Sequence, residues 1–329
     1  MEHAPPLAVL LNNPDAITEL VKAKANKSAQ DPNGHTPLHL AILKGHTGLI
    51  KLLITTASDA NVLNKDGNTP LHLAVLLNNP DAITELVKAK ANKSAQDPNG
   101  HTPLHLAILK GHTDPNGHTP LTSCHLKGHT GLIKLLITTA SDANVLNKDG
   151  NTPLHLAVLL NNPDAITELV KAKANKSAQD PNGHTPLHLA ILKGHTGLIK
   201  LLITTASDAN VLNKDGNTPL HLAVLLNNPD AITELVKAKA NKSAQDPNGH
   251  TPLHLAILKG HTGLIKLLIT TASDANVLNK DGNTPLHLAV LLNNPDAITE
   301  LVKAKANKSA QDPNGHTPLH LAILKDTPV

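Results

Sequence analysis

The chain repeats itself at a fixed period, almost letter for letter. The phrase TPLHLA begins at Thr36, Thr69, Thr102, Thr152, Thr185, Thr218, Thr251, Thr284 and Thr317, evenly spaced except across the longer gap from Thr102 to Thr152. A fixed period of about 33 residues means a stack of small units, none of which can bury its apolar face alone. Two kinds of unit alternate, so the copied segment is a pair of units. One is HTPLHLAILKGHTGLIKLLITTASDANVLNKDG, His35 to Gly67; the other is NTPLHLAVLLNNPDAITELVKAKANKSAQDPNG, Asn68 to Gly100.

Each unit reads as helix, turn, helix and extended loop. Thr36 caps the first helix through its hydroxyl, and Pro37 follows where its missing N–H costs nothing. Leu38, Ala41 and Ile42 fall at helical spacing, and Gly45 lets the chain reverse. Leu49, Ile50, Leu53 and Ile54 form the apolar stripe of the second helix. In the alternate unit Asn79-Pro80-Asp81 supplies a cap, a first-turn proline and an acid at the positive helix end, with Lys88 and Lys90 near the negative end. Asp66-Gly67 and Asn99-Gly100 supply turn chemistry at the loop tips.

Period and phrase resemble the ankyrin repeat, over nearly the whole chain. The resemblance implies an all-α fold, a solenoid of stacked helix-turn-helix units with hairpin-like loops. Units start near 2, 35, 68, 101, 151, 184, 217, 250 and 283, with a half unit at 316–329, and residues 1–329 read as a single solenoid. With packed helices about 8–10 Å apart, nine units predict a curved rod roughly 80–90 Å long. One departure from the family pattern stands out. The glycine usual after the second helix is replaced by Ala57 or Lys90. A side chain in the left-handed region costs about 1 kcal/mol, which predicts lower stability than a consensus array.

The spacing fails where DPNGHTPLHLAILKGHT, Asp97 to Thr113, is followed by DPNGHTPLTSCHLKGHT, Asp114 to Thr130. The first copy has an intact first helix; the second leads into an intact second helix. The expectation is that the good halves join, 101–111 with 131–139, and that 112–130 is extruded as a loop, where Thr122, Ser123 and His125 are tolerable in water and costly in a core. At the start, Pro5 and Pro6 weaken the first helix. At the end, Leu319, Ala322 and Ile323 lack a covering second helix, which predicts fraying of 316–329 or self-association through it.

Composition excludes several functions. Net charge is +3, every basic residue is Lys, and Phe, Tyr and Trp are absent. Neither nucleic acid nor a membrane surface is indicated, since stacking platforms and bidentate base readers are missing. No apolar run approaches the ~18 residues of a membrane span. The N-terminus does not read as a secretory signal, so the five Asn-Lys-Ser sequons read as by-products of repetition. One cysteine, Cys124, fits a reducing compartment. The expected location is cytoplasmic or nuclear.

The 22 histidines invite a metal reading. His35, His39 and His46 carry no Cys cluster and no HExxH, and His35 precedes the helix, so no metal or other cofactor is expected. By resemblance, the TPLH histidine hydrogen-bonds within and between neighbouring loops. Adjacent Cys124 and His125 do not form a nucleophile–base pair. Cys124 reads as a surface thiol offering a route to intermolecular pairing. Asp81 and Glu85 on an exposed helix face do not read as paired catalytic acids. No catalytic residue is expected, and the chain is not read as an enzyme. Leu53, Asp59 and Asn61 match the spacing of ankyrin domains that resemble substrates of an asparaginyl hydroxylase. The candidates are Asn61, Asn144, Asn210 and Asn276, with a loop-shaping role as the preferred reading. Thr327-Pro328-Val329 fits a short PDZ-ligand pattern, for which chance is the default.

The leading functional expectation is a non-enzymatic scaffold for an unidentified protein partner. By resemblance, ankyrin proteins bind through loop tips and the concave first-helix face. Here that surface includes His35, Lys44, Asn64, Lys65, Asp66, Asn68 and Asn99. Its copies include Lys148, Asp149, Lys214, Asp215, Lys280 and Asp281. Identical residues in every second unit predict weak sites strengthened by avidity. Alternatives are a structural spacer, or a designed or recently expanded array without a selected ligand, and an inhibitor-type domain resembling those that mask Rel-family transcription factors.

Overall fold

A computed structural model describes residues 8–110, 123–271 and 273–326, with the backbone alone at 123–129 and 325–326. The described residues hold helices and turns and no strand. Contacts divide the chain into two compact bodies, Met1–Asn175 and Lys176–Val329.

The first body contains α1 (Pro14–Lys22), α2 (Pro37–Leu43), α3 (Thr47–Thr55), α4 (Pro70–Leu76), α5 (Pro80–Lys88), α6 (Pro103–Lys110), α7 (Ser123–Thr138), α8 (Pro153–Leu159) and α9 (Pro163–Lys171). The second contains α10 (Pro186–Leu192), α11 (Thr196–Thr204), α12 (Pro219–Leu225), α13 (Pro229–Lys237), α14 (Pro252–Leu258), α15 (Thr262–Thr270), α16 (Pro285–Leu291), α17 (Pro295–Lys303) and α18 (Pro318–Asp326). Within each body the first helices pack in a row: α2, α4, α6 and α8 in one; α10, α12, α14, α16 and α18 in the other. Each first helix also packs on the second helix of its own repeat.

The elements start where the chemistry dictates. Thr36 is extended at φ −79° and caps α2, with Pro37 at the first helical position. The same capping box recurs at Thr69, Thr152, Thr185, Thr218, Thr251 and Thr284. Asn79 Oδ1 accepts from Ala82 N at 2.9 Å and starts α5. Between the helices the chain reverses through a left-handed residue, Gly45 in one kind of repeat and Asn78 in the other. The core is thin and continuous within each body. Leu38, Ile42, Leu49, Ile50 and Leu53 are all but inaccessible, and each such side chain contributes roughly 1.5–3 kcal/mol of apolar burial.

The second helices end on a strained residue. Ala57, Ala140 and Ala206 sit at φ 62°, and Lys24, Lys90, Lys173, Lys239 and Lys305 at φ 59–61°. These are the positions where the family pattern places glycine, and the left-handed backbone is kept although the residue disfavours it. A lysine from the preceding repeat steadies four of these ends. Lys27, Lys93, Lys176 and Lys242 donate through Nζ to the carbonyls of Thr56, Thr139, Thr205 and Thr271. A cation on the last carbonyls of a helix complements its negative end.

The duplicated segment is absorbed without breaking the stack of the first body. α6 packs on α7, α4 and α8. The bond that ties Gln30 Nε2 to Leu63 O recurs across the longer gap, where Gln96 Nε2 donates to Leu146 O at 2.8 Å. Of the segment read as an extruded loop at 112–130, residues 111–122 lie outside the described residues. Residues 123–130 are not loop: α7 begins at Ser123 and runs unbroken into the second-helix slot. Side chains at 123–129, including Cys124 and His125, lie outside the description, as do Pro5, Pro6 and the Thr327–Val329 motif. Among the described residues no helix is long and apolar enough to cross a membrane.

Candidate functional site

The loop tips are built by backbone hydrogen bonds. Asn64 N donates to Asn68 O and Gly67 N to Asn64 O, both at 3.0 Å. The Asn64 side chain closes the same turn, its Oδ1 accepting from Asn68 N at 2.8 Å. Lys65 and Asp66 are left exposed at the apex. In the alternate loop Asp31 does this work, its Oδ1 accepting from Asn33 N and His35 N at 2.8 Å each. The Asp31 carboxyl lies below its ordinary value: burial acts to raise it, and the backbone N–H donors of His35 and Asn33 and the neighbouring His35 outweigh that.

Neighbouring tips are then tied together. Lys65 N donates to Asn33 O, Lys148 N to Asn99 O, Lys214 N to Asn182 O and Lys280 N to Asn248 O, each at 3.0 Å. Glycine is required beside this junction. A Cβ on Gly183, at φ 77°, would stand 2.6 Å from Lys214 N.

Under the tips lies the TPLH histidine. His39 Nδ1 is 2.8 Å from Thr36 Oγ1 and 3.2 Å from Thr36 N, and Nε2 is 3.2 Å from Asn68 O in the next repeat. Because Thr36 N–H and O–H both point at Nδ1, that nitrogen accepts and Nε2 carries the proton. The ring is fully buried and neutral. Burial pushes the rings of His39, His105, His188 and His254 down to about 4, and lowers those of His72 and His221. The network joins loop to loop.

The predicted surface residues separate into two sets. Lys44, Lys65, Asp66, Asn99, Lys148, Asp149, Lys214, Asp215, Lys280 and Asp281 are exposed. Asn64 is not: it is 5% exposed, because its side chain must face inward to close the turn. His35 and Asn68 are half-buried. His35 Nδ1 lies 3.4 Å from Asp31 Oδ2, and Asn68 gives its carbonyl to His39. The four hydroxylation candidates are exposed, and each joins successive repeats. Asn61 Oδ1 accepts from Asn92 N at 2.7 Å; Asn144, Asn210 and Asn276 accept from Asn175, Asn241 and Asn307 at 2.8 Å.

The sequence reading missed an apolar component of the tips. Leu63, Leu146, Leu212 and Leu278 each stand about half exposed, one residue before the buried asparagine. Their signal was the position itself, next to the turn and outside any helical stripe. Among the described residues no three His, Cys, Asp or Glu side chains are placed to hold a metal ion. Glu85, beside Asp81, is held by Lys88 at 2.8 Å, and its carboxyl is lowered by that bond.

Helix pairs at a fixed period, with loop tips tied from one repeat to the next, define a helical repeat protein. The family description "Ankyrin repeats (3 copies)" matches residues 7–97, 49–115, 111–180, 161–246, 225–312 and 264–328. The chain belongs to the ankyrin-repeat family, whose members are in general non-enzymatic protein-interaction modules. It is similar to the crystal structure of the ankyrin repeat domain of Bcl-3, described as a unique member of the IkappaB protein family. The TM-score is 0.62 at 26% identity, covering 72% of this chain and 99% of that one. No curated protein sequence matches the chain significantly.

Proposed function

We propose that the chain is a non-enzymatic scaffold, cytoplasmic or nuclear, that binds a protein partner through its loop tips and the adjoining first-helix face. The observation that carries this reading is the fixed tip. A Lys-Asp pair and a half-exposed leucine sit on backbone tied to the neighbouring loop, so little ordering entropy is lost on binding. Each tip offers a small contact without aromatic or Arg anchors. The same contact recurs on alternate repeats of each body, which favours a multivalent partner.

The test replaces Lys65, Lys148, Lys214 and Lys280 together by Glu. All four are exposed, so folding should be unchanged. A partner captured by the parent chain and lost from this variant supports the reading; a partner retained in full refutes it. Near-identical copies favour a second reading, a spacer or recently expanded or designed array, for which neither protein captures a specific partner. The likeness to Bcl-3 supports a third, an inhibitor-type domain, which requires capture of a transcription factor of the Rel family.

A further inference from the structure

The second body ends in a seat whose occupant can be read from the chain itself. A groove of about 550 Å³ is lined by Val290 of α16, Ile298 and Val302 of α17, Lys308 of the following loop, and Leu319 and Ala322 of α18. Among the described residues nothing covers it. Two repeats earlier the same residues are covered. Leu253 is 0% exposed where Leu319 is 69%, and Ile257 is 1% where Ile323 is 59%. There α15 packs on α14 and buries Leu264, Ile265 and Leu268. The first body shows the filled seat too. Leu53 of α3 lines a remnant of about 10 Å³ with Ile17, Val21, Lys27 and Pro37, the copies of Ile298, Val302, Lys308 and Pro318.

The polar end of the seat has a counterpart as well. Lys27 and Lys242 donate to the carbonyls that close the covering helices, those of Thr56 and Thr271. Lys308 occupies the same place in the groove. A charge there selects the direction of the occupant, with the carbonyl end of its helix at Lys308.

We propose that this groove is a docking site for an amphipathic helix of a partner protein bearing Leu-Ile-x-x-Leu, the pattern of Leu264, Ile265 and Leu268, with its C-terminal end held by Lys308. This surface is separate from the loop tips, and the proposal stands whether or not they bind. An apolar helix laid in a groove gains affinity from its i, i+1 and i+4 anchors and little from its exposed face.

The probe is a fluorescein-labelled peptide of residues 259–276, titrated with the full chain and followed by anisotropy, since the chain has no Trp or Tyr of its own. One-to-one saturable binding below about 1 mM is expected. Leu319→Glu, at an exposed position, should weaken it at least about tenfold. Lys308→Ala should weaken it about threefold, and a peptide with Leu264→Asp and Leu268→Asp should not bind. Circular dichroism confirms that both chain variants remain folded. Absence of binding, or binding unchanged in Leu319→Glu and Lys308→Ala, overturns the proposal. So does a concentration-dependent dimer that excludes the peptide and is lost in Leu319→Glu, which would make a second copy the occupant.

Discussion

Acid should unfold this protein well before its carboxylates titrate. The perturbation is a fall from about pH 7.5 to about pH 5, and the responding groups are the buried TPLH rings. In the folded state His39, His105, His188 and His254 take a proton only near about 4, because burial penalises the charged form. Geometry gives the same direction, since the ring nitrogen that would be protonated already accepts from the threonine hydroxyl and N–H. In the unfolded chain the same rings titrate near their ordinary value of 6.5. Their folded value is depressed, so their full contribution is present above about pH 6.5 and is lost as pH falls toward about 4. Within that window each ring removes about 1.4 kcal/mol per pH unit, or roughly 2 kcal/mol by pH 5. Each body holds two of these rings, so each loses roughly 4 kcal/mol, a large part of the roughly 5–15 kcal/mol that stabilises a domain. His72 and His221 act in the same direction. The assay is urea unfolding followed by far-ultraviolet circular dichroism at several pH values. With a slope of about 2 kcal/mol per molar urea, the first midpoint should fall by roughly 2 M. His254→Gln should start less stable and reduce the dependence by about 1.4 kcal/mol per pH unit. A midpoint that stays level or rises between about pH 7.5 and pH 5 would refute the argument.

Replacing Ala57 and Lys90 by Gly removes side chains from left-handed backbone at φ 62° and φ 59°. Each change should stabilise by about 1 kcal/mol, and a thermal midpoint that fails to rise would show that the strain is relieved elsewhere. Gly183→Ala forces a methyl to within 2.6 Å of Lys214 N; it should cost about 1–3 kcal/mol and speed amide exchange at Lys214. Lys242→Met removes the donor to Thr271 O, with an expected loss of about 1–2 kcal/mol and faster exchange at the end of α15. Unchanged exchange there would show that the lysine contributes nothing.

The helices and their starts were legible because each rests on local chemistry. Thr36-Pro37 caps α2 and Asn79-Pro80 caps α5 whatever lies around them. Strain at Ala57 and Lys90 was legible from the missing glycine. Less legible was everything that needed a neighbour. Asn64 reads as a polar loop residue, yet it faces inward because the turn it closes also receives the next tip. Lys27 reads as a solvated charge, yet its stem spans 29 residues of sequence to reach Thr56. The insertion misled in the same way. Thr122, Ser123 and His125 read as water-facing loop, whereas the backbone from Ser123 onward is drawn into α7, continuous with the apolar stripe of Leu132, Ile133 and Leu136.

The repetition itself has opposite consequences for the two surfaces. At the tips, Lys65-Asp66 and Lys148-Asp149 present the same small contact twice in one body, as Lys214-Asp215 and Lys280-Asp281 do in the other. Affinity there should grow with the number of engaged repeats and vanish for a monovalent ligand. At the end of the second body, repetition leaves one seat whose copies are all filled from within, so its ligand is specified by the chain's own second helix and its stoichiometry is one. Salt separates the two experimentally. Screening should weaken contacts made by exposed Lys and Asp, whereas burial of Leu319 and Ile323 under an apolar helix should strengthen in sulfate. A tip partner and a groove peptide that respond alike to salt would show that the two surfaces do not differ in the way their side chains imply.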